Sequence, residues 1–134
     1  MQFMVHSGII FDSNVWIAYF HATDTNHKKA VAVVEKQHQH PVIITEYVLL
    51  EVATVLKQKI GPTKTNTIVK TLLQTDTVEL LPSSNFFTAS LATFLDLIER
   101  HLSFVDVSLL VLSKDFTIVT FDAKLQKACA DPSS

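Results

Sequence analysis

Glycine is scarce in this sequence, and its scarcity excludes several kinds of ligand site. Only Gly8 and Gly61 occur among the 134 residues, and neither belongs to a repeated-glycine loop. Walker-type and dinucleotide-type phosphate cradles depend on such loops, so both are disfavoured. The chain also contains no CxxC, HExxH or GxSxG motif. The common thiol, zinc-protease and serine-hydrolase signatures are therefore missing.

Cysteine and clustered basic residues are equally sparse. Cys129 is the only cysteine, so no internal disulfide can form, which agrees with a reducing compartment. The formal charge is -2, so nucleic-acid binding would have to come from a local site. The stretch from Met1 to Ile10 has no Lys or Arg and no long apolar run. We therefore expect a cytoplasmic protein without a signal peptide or membrane span.

The remaining composition and patterning indicate one domain with an α/β fold. Hydrophobic residues make up 48% of the chain and charged residues 18%, which suits one sizeable core. Apolar runs predict strands at residues 8–11, 42–45, 77–81 and 116–121. Helical patterns fill residues 13–20, 26–39, 46–60, 63–74, 86–100, 104–114 and 123–130. This alternation predicts a single domain over 1–134, with a short parallel sheet of about four strands flanked by helices.

Four acidic residues stand in apolar sequence contexts, where an uncompensated buried charge costs several kcal/mol. Asp12 and Asp122 each follow a predicted core strand, at the sheet edge where open parallel sheets bind ligands. Glu51 and Asp106 are each the only charge within an otherwise apolar helical stretch. We therefore take these four as the candidate site residues.

If these acids converge, their mutual repulsion raises pKa values and destabilises the fold unless a cation neutralises it. Ligands that are all oxygen, without His or Cys, select hard ions such as Mg²⁺ or Mn²⁺ rather than zinc. Such a site can polarise a phosphodiester and turn a bound water into hydroxide. The pattern thus favours phosphodiester hydrolysis.

Each acid also has a purely structural interpretation. Asp12 and Asp122 can be helix N-caps, and Ser103-Phe-Val-Asp106 fits a capping box. Glu51 shares a helical stripe with Thr54 and Gln58, which can simply face water. For each acid taken alone, a structural role is as well supported as a functional one. The occurrence of all four in such contexts favours a metal-binding site.

Four blocks of the sequence resemble PIN-domain nucleases in order, spacing and context. Residues 9–19, Ile-Ile-Phe-Asp-Ser-Asn-Val-Trp-Ile-Ala-Tyr, resemble the family's opening strand and its Asp. Residues 45–56, Thr-Glu-Tyr-Val-Leu-Leu-Glu-Val-Ala-Thr-Val-Leu, resemble its acidic helix and place the family's Glu at Glu51 rather than Glu46. Residues 102–110, Leu-Ser-Phe-Val-Asp-Val-Ser-Leu-Leu, and 118–125, Ile-Val-Thr-Phe-Asp-Ala-Lys-Leu, are similar to the last two blocks.

The chain is most similar to the VapC-like toxins within that family, and this resemblance carries functional expectations. It implies an endoribonuclease in which Asp12, Glu51, Asp106 and Asp122 coordinate Mg²⁺ or Mn²⁺. It also implies a homodimer and a small antitoxin, encoded beside the toxin, that blocks the site.

Two polar residues are candidates for a supporting role. Asn14 can steady a metal ligand or water, or act as a local cap near the helix start. Thr120 can orient a ligand carboxylate, although a threonine in a strand needs no function.

Two other functions remain open at this point. Asp12-Ser-Asn14 faintly resembles the nucleophile loop of haloacid-dehalogenase-type phosphatases, in which Asp12 would attack phosphorus and Asn14 replaces the second acid. The other alternative to a nuclease is a non-catalytic PIN-like interaction module, in which the acids are only helix caps.

Overall fold

A four-stranded parallel sheet lies at the centre of the computed structural model, which describes residues 8–37, 39–97 and 101–130. The strands are β1 (Ile9–Phe11), β2 (Val42–Thr45), β3 (Val78–Leu81) and β4 (Thr117–Val119). Their order across the sheet is β3-β2-β1-β4, and every neighbouring pair is parallel. Ile9 pairs with Val42 on one side and Thr117 on the other. The prediction of a short parallel sheet of about four strands is confirmed.

Helices connect and flank the strands. They are α1 (Ser13–Phe20), α2 (His27–Lys36), α3 (Glu46–Ile60), α4 (Pro62–Gln74), α5 (Phe87–Asp96), α6 (Phe104–Leu112) and α7 (Ala123–Ala130). Helix α1 packs on α2 and α3, α3 packs on α4, and α6 packs on both α5 and α7. None of the helices in the described ranges is long and apolar enough to cross a membrane.

The hydrophobic core is formed by the central strands and by one face of α3 that packs with them. Ile10, Phe11 and Ile44 are fully buried in the two central strands. Val48, Val52 and Leu56 are also fully buried, and their four-residue spacing places them on one face of α3. Burial of each such side chain contributes about 1.5–3 kcal/mol. This packing fixes α1 and α3, both of which start directly at the carboxyl ends of their strands.

Gly61 separates α3 from α4 in a conformation that other residues avoid. Its φ is 88° and its ψ is 164°, and its amide donates to the carbonyl of Lys57 at 3.1 Å. Pro62 then occupies the first turn of α4, where its missing N–H costs nothing. The predicted break at Gly61-Pro62 is confirmed.

Several predicted boundaries are wrong at their ends. Helix α2 occupies only His27–Lys36 of the predicted 26–39, and residue 38 lies outside the described residues. Helix α5 ends at Asp96, whereas 86–100 was predicted, because Leu97 is already extended. Residues 98–100 again lie outside the described part. A 3-10 turn at Ser83–Asn85, which the sequence pattern did not predict, precedes α5.

Candidate active site

Asp12 lies directly after β1, at the carboxyl edge of the sheet, and its side chain is buried. Its Oδ1 accepts a hydrogen bond from the Ser13 amide at 2.7 Å, so it caps α1 as the structural interpretation predicted. Its Oδ2 accepts a second bond from the Thr120 hydroxyl at 2.8 Å. Both oxygens of this buried carboxylate are therefore held in place.

The Thr120 hydroxyl connects three parts of the site. It accepts from the Asn14 side-chain amide at 3.2 Å and from the Asp122 backbone amide at 3.0 Å. A hydroxyl has one proton and two lone pairs, so with both acceptor positions used its proton must point at Asp12. The Asn14 Oδ1 in turn accepts from the amide of Phe121 at 3.2 Å. Asn14 and Thr120 thus join α1 to the chain that leaves β4.

These bonds also explain why β4 ends two residues before the predicted end at Phe121. The carbonyl of Val119 accepts from the Asp12 amide at 2.9 Å, which completes the pairing with β1. The next carbonyl, that of Thr120, accepts instead from the Gln126 side chain at 2.7 Å. Gln126 was not among the predicted site residues, because a glutamine in a short surface helix has no distinguishing sequence signal.

The pKa of Asp12 is raised, and the causes show which other acids are near it. Burial is the largest cause, and the hydrogen bonds from Thr120 and Ser13 oppose it. The charges of Asp106 and Glu51 raise the pKa further. Asp106 and Glu51 therefore lie close enough to Asp12 to interact with it electrostatically, although the three residues are far apart along the chain.

Asp106 lies in the first turn of α6 and forms the predicted capping box with Ser103. The Asp106 amide donates to the Ser103 hydroxyl at 3.1 Å, and the Ser103 amide donates to Asp106 Oδ2 at 3.0 Å. Within the described residues, Oδ1 of Asp106 has no hydrogen bond. The cap thus uses one carboxylate oxygen and leaves the other available.

Glu51 is exposed, so the expectation that its apolar sequence context buries it is wrong. The core face of α3 carries Val48 and Val52, whereas Glu51, Thr54 and Gln58 form an exposed stripe on another side. Helical periodicity, and not the neighbouring residues in sequence, decides which side chains are buried. Glu51 nevertheless lies close enough to raise the pKa of Asp12.

Asp122 reaches the same sheet edge through its backbone, while its side chain turns to the start of α7. Its Oδ1 accepts from the Lys124 amide at 2.8 Å, which is the predicted capping role. Its charge does not contribute to the rise in the pKa of Asp12. Among the residues that the structure describes, no three His, Cys, Asp or Glu side chains are close enough to hold one metal ion together.

Two further side chains were not predicted to lie here, one near Asp12 and Asp106 and the other beside Phe121. The pKa of Cys129 is raised, first by burial and then by the charges of Asp12 and Asp106, while a hydrogen bond with Ser113 opposes the rise. The Lys29 ammonium lies 4.8 Å from the ring centroid of Phe121. A cation therefore lies next to Phe121, the residue that precedes Asp122.

Comparisons with known proteins agree with this arrangement of strands and helices. A comparison with curated proteins gave no significant match. The fold is similar to the crystal structure of Mycobacterium tuberculosis VapC20, a toxin that cleaves the sarcin-ricin loop. That match has a TM-score of 0.78 at 23% identity, over 90% of this chain and 95% of the other. The family model of the PIN domain matches residues 9–131, and the chain belongs to the PIN domain family.

Proposed function

We propose that this PIN domain is a metal-dependent endoribonuclease, in which Asp12, Glu51, Asp106 and Asp122 hold Mg²⁺ or Mn²⁺. The buried carboxylate of Asp12 is the main support, because the charges of Asp106 and Glu51 raise its pKa at the ligand-binding edge of the sheet. A buried acid among like charges is stabilised by a cation.

The chemistry of the available oxygens suits such an ion, although no three of these acids are already grouped around one position in the described residues. The donor set contains carboxylates only, which suits a hard cation. Capping does not compete with metal binding, because each carboxylate has two oxygens and about four acceptor positions. Asp106 uses only Oδ2 in its cap, and Asp122 uses only Oδ1. In this proposal the exposed side chain of Glu51 rotates toward Asp12 when the ion binds.

Thr120 and Asn14 would support the metal-binding acids in the reaction. A bound Mg²⁺ or Mn²⁺ supplies Lewis acidity toward the phosphodiester and toward a water molecule. Thr120 orients Asp12 and favours its ionised form against the effect of burial, because its hydroxyl proton can be donated only to that carboxylate. Asn14 supports Thr120 and fixes the chain at Phe121, so the edge of the site keeps its shape.

The fold likeness supports a proposal for the substrate and the biological role. VapC20 is a toxin that cleaves the sarcin-ricin loop, which supports RNA as the substrate here and a VapBC-like toxin role. A small antitoxin that blocks the acidic site would then be the cognate partner, and the cytoplasm the place of action.

An exposed apolar row on α5 supports a protein partner as well. Phe87, Leu91, Phe94 and Leu95 are spaced as one helical face, and Leu95 is 72% exposed. Exposed apolar patches of this kind mark interaction surfaces. We assign this row to the contact between two copies in a homodimer.

Cleavage assays test the nuclease proposal directly. Purified protein is incubated with structured RNA with and without Mn²⁺, and the Asp12→Asn and Asp106→Asn variants are compared with Asp76→Asn, which changes an exposed acid away from the site. Loss of a metal ligand should lower the rate about a hundredfold or more, since the ion contributes several kcal/mol. Asp76→Asn should cleave like the wild type. Unchanged cleavage in both site variants would reject the assignment.

The non-catalytic interaction module is the second candidate, and the capping roles of Asp106 and Asp122 favour it. A metal titration discriminates the two, because an ion that binds the folded state raises the Tm. If the module interpretation holds, millimolar Mg²⁺ or Mn²⁺ leaves the Tm unchanged. No observation favours the aspartate-nucleophile phosphatase, and Asn14 stands where that class has its second acid.

A further inference from the structure

We propose that a pocket between α6 and α7 binds one unpaired nucleotide of the RNA, next to the phosphate that is cut. The pocket has a volume of about 280 Å³, which is at the small end for ligand sites. This inference rests on the proposed nuclease function and assigns a part of the substrate to residues outside the acidic site. We call it the α6–α7 pocket.

Aliphatic side chains form the floor of the α6–α7 pocket. Leu97, Leu102, Leu110 and Ala128 line it, and all are partly buried. A flat, largely apolar surface such as the face of a nucleobase loses little by leaving water for this environment.

Two cations also line the α6–α7 pocket. Lys124 and Lys127 line it, are exposed, and lie three residues apart on α7, so they face the same side. Lysine ammonium groups bind phosphate as point charges. An apolar floor beside two cations matches a nucleotide, which joins an apolar base to an anionic phosphate. In a protein of net charge -2, this is a local basic site of the kind that RNA binding requires.

The α6–α7 pocket is continuous with the candidate site on both of its helices. Leu110 follows Asp106 by four residues, so the two side chains are neighbours on one face of α6, about 5–6 Å apart at Cβ. On the other helix, the amide of Lys124 donates to Asp122 at 2.8 Å. A phosphate held at the acids therefore brings the adjoining nucleotide over this pocket.

The shape of the α6–α7 pocket also restricts the substrate. A base that is stacked and paired in a helix cannot enter a pocket, whereas a base in a loop or single strand can be turned outward. The nucleotide beside the cleaved bond must then be unpaired in the substrate.

Cleavage kinetics with lysine variants test this assignment. The double variant Lys124→Gln with Lys127→Gln is compared with the wild type and with Lys70→Gln, an exposed lysine of α4 outside the pocket. On a single-stranded RNA in Mn²⁺, we expect KM to rise severalfold in the double variant, with a smaller change in kcat. The dependence of log kcat/KM on log salt should become shallower by about 0.7 for each lost phosphate contact. Values equal to those of Lys70→Gln would overturn the inference.

A second variant tests the apolar floor without changing charge. Ala128→Leu fills the α6–α7 pocket, so the base beside the cut can no longer bind there. The variant should therefore cleave intact RNA and RNA that lacks this base at the same rate, whereas the wild type should cleave the abasic RNA more slowly. In the wild type we expect that loss to be about tenfold, as for a group removed from a hydrophobic pocket. Equal cleavage of intact and abasic RNA by the wild type would refute a base-binding role.

The two proposals fail in different ways. If the wild type does not cleave RNA in Mn²⁺, the nuclease proposal fails, and fluorescence anisotropy with a labelled 12-nucleotide RNA then tests the pocket alone. Weaker RNA binding by the lysine double variant would still support the α6–α7 pocket. If the double variant instead binds RNA normally and loses affinity for an oligoglutamate peptide, the occupant is an acidic protein segment and the nucleotide assignment is wrong.

Discussion

Replacing Thr120 by valine removes one hydroxyl and keeps nearly the same shape, which isolates the role of that group. Thr120 is buried, and its hydroxyl takes part in three hydrogen bonds, with Asp12, Asn14 and Asp122. In Thr120→Val, the Asp12 carboxylate loses its bond at Oδ2 and the Asp122 amide loses its acceptor. We expect the variant to be less stable and to bind metal more weakly.

The size of the effect follows from the partners that are left without bonds. A hydrogen bond to a charged group contributes about 1.5–3 kcal/mol, and a buried donor that loses its acceptor costs about 1–3 kcal/mol. Both groups can recover part of this from water or by small movements, so we expect a net loss of about 2–4 kcal/mol. For a domain of this length, that lowers the Tm by roughly 10 °C. Loss of a group that orients a metal ligand also weakens metal binding by about ten- to a hundredfold.

The matched control is Thr120→Ser, which keeps the hydroxyl and removes only a methyl group. Urea unfolding in EDTA, followed by circular dichroism, measures the free energy of unfolding without metal, and a Mn²⁺ titration then measures binding. Thr120→Ser should stay within about 1.5 kcal/mol of the wild type, the usual cost of a buried methyl group. If Thr120→Val and Thr120→Ser unfold at the same urea concentration, the hydroxyl does not hold the site and the interpretation of this network is wrong.

Three further changes test other parts of the structure. The Ser83 amide donates to Glu46 and lowers its pKa. The ionised Glu46 carboxylate therefore stabilises the fold at neutral pH, and this stabilisation is lost as the pH falls through the lowered pKa of Glu46. Glu46→Gln should remove the part of the fall in Tm between pH 6 and pH 3 that this carboxylate causes. Gly61→Ala should lower the free energy of urea unfolding by about 1–3 kcal/mol because of the positive φ, whereas the exposed Asn66→Ala should change it by less than about 0.5 kcal/mol. For the proposed homodimer, Leu95→Lys should shift sedimentation equilibrium from dimer to monomer without lowering the Tm of the protomer, and a monomeric wild type or a dimeric variant would contradict the assignment.

Local sequence signals were sufficient for most of the elements. β2 and the helices α1, α3 and α7 have the predicted bounds, because each begins or ends at a residue with a strong preference, such as Asp12, Thr45 or Gly61. The ends of α2 and α5 lack such residues, since neither helix has a side-chain N-cap or a glycine at its C-terminus. Their bounds depend on tertiary packing, which the pattern alone does not contain.

The candidate site was predictable in its residue types but not in its connections. Asn14 and Thr120 were candidates from sequence, yet their bond joins residues 106 positions apart and depends on β1 and β4 being neighbours. The exposure of Glu51 was one of two open interpretations, and its apolar neighbours pointed to the wrong one. Leu50, one of those neighbours, is itself 65% exposed, so an apolar run on a helix is not evidence of burial on every face.

The structural and catalytic interpretations of the acids were posed as alternatives, but the capping bond of Asp12 does not exclude the proposed metal-binding role. Capping holds Oδ1, and Thr120 holds Oδ2, so the side chain is fixed before any ion arrives. Burial and the charges of two neighbouring acids nevertheless raise its pKa, so above that pKa the ionised group destabilises the metal-free fold. A divalent cation would remove this cost, and metal binding and folding stability would then be coupled at the same residue.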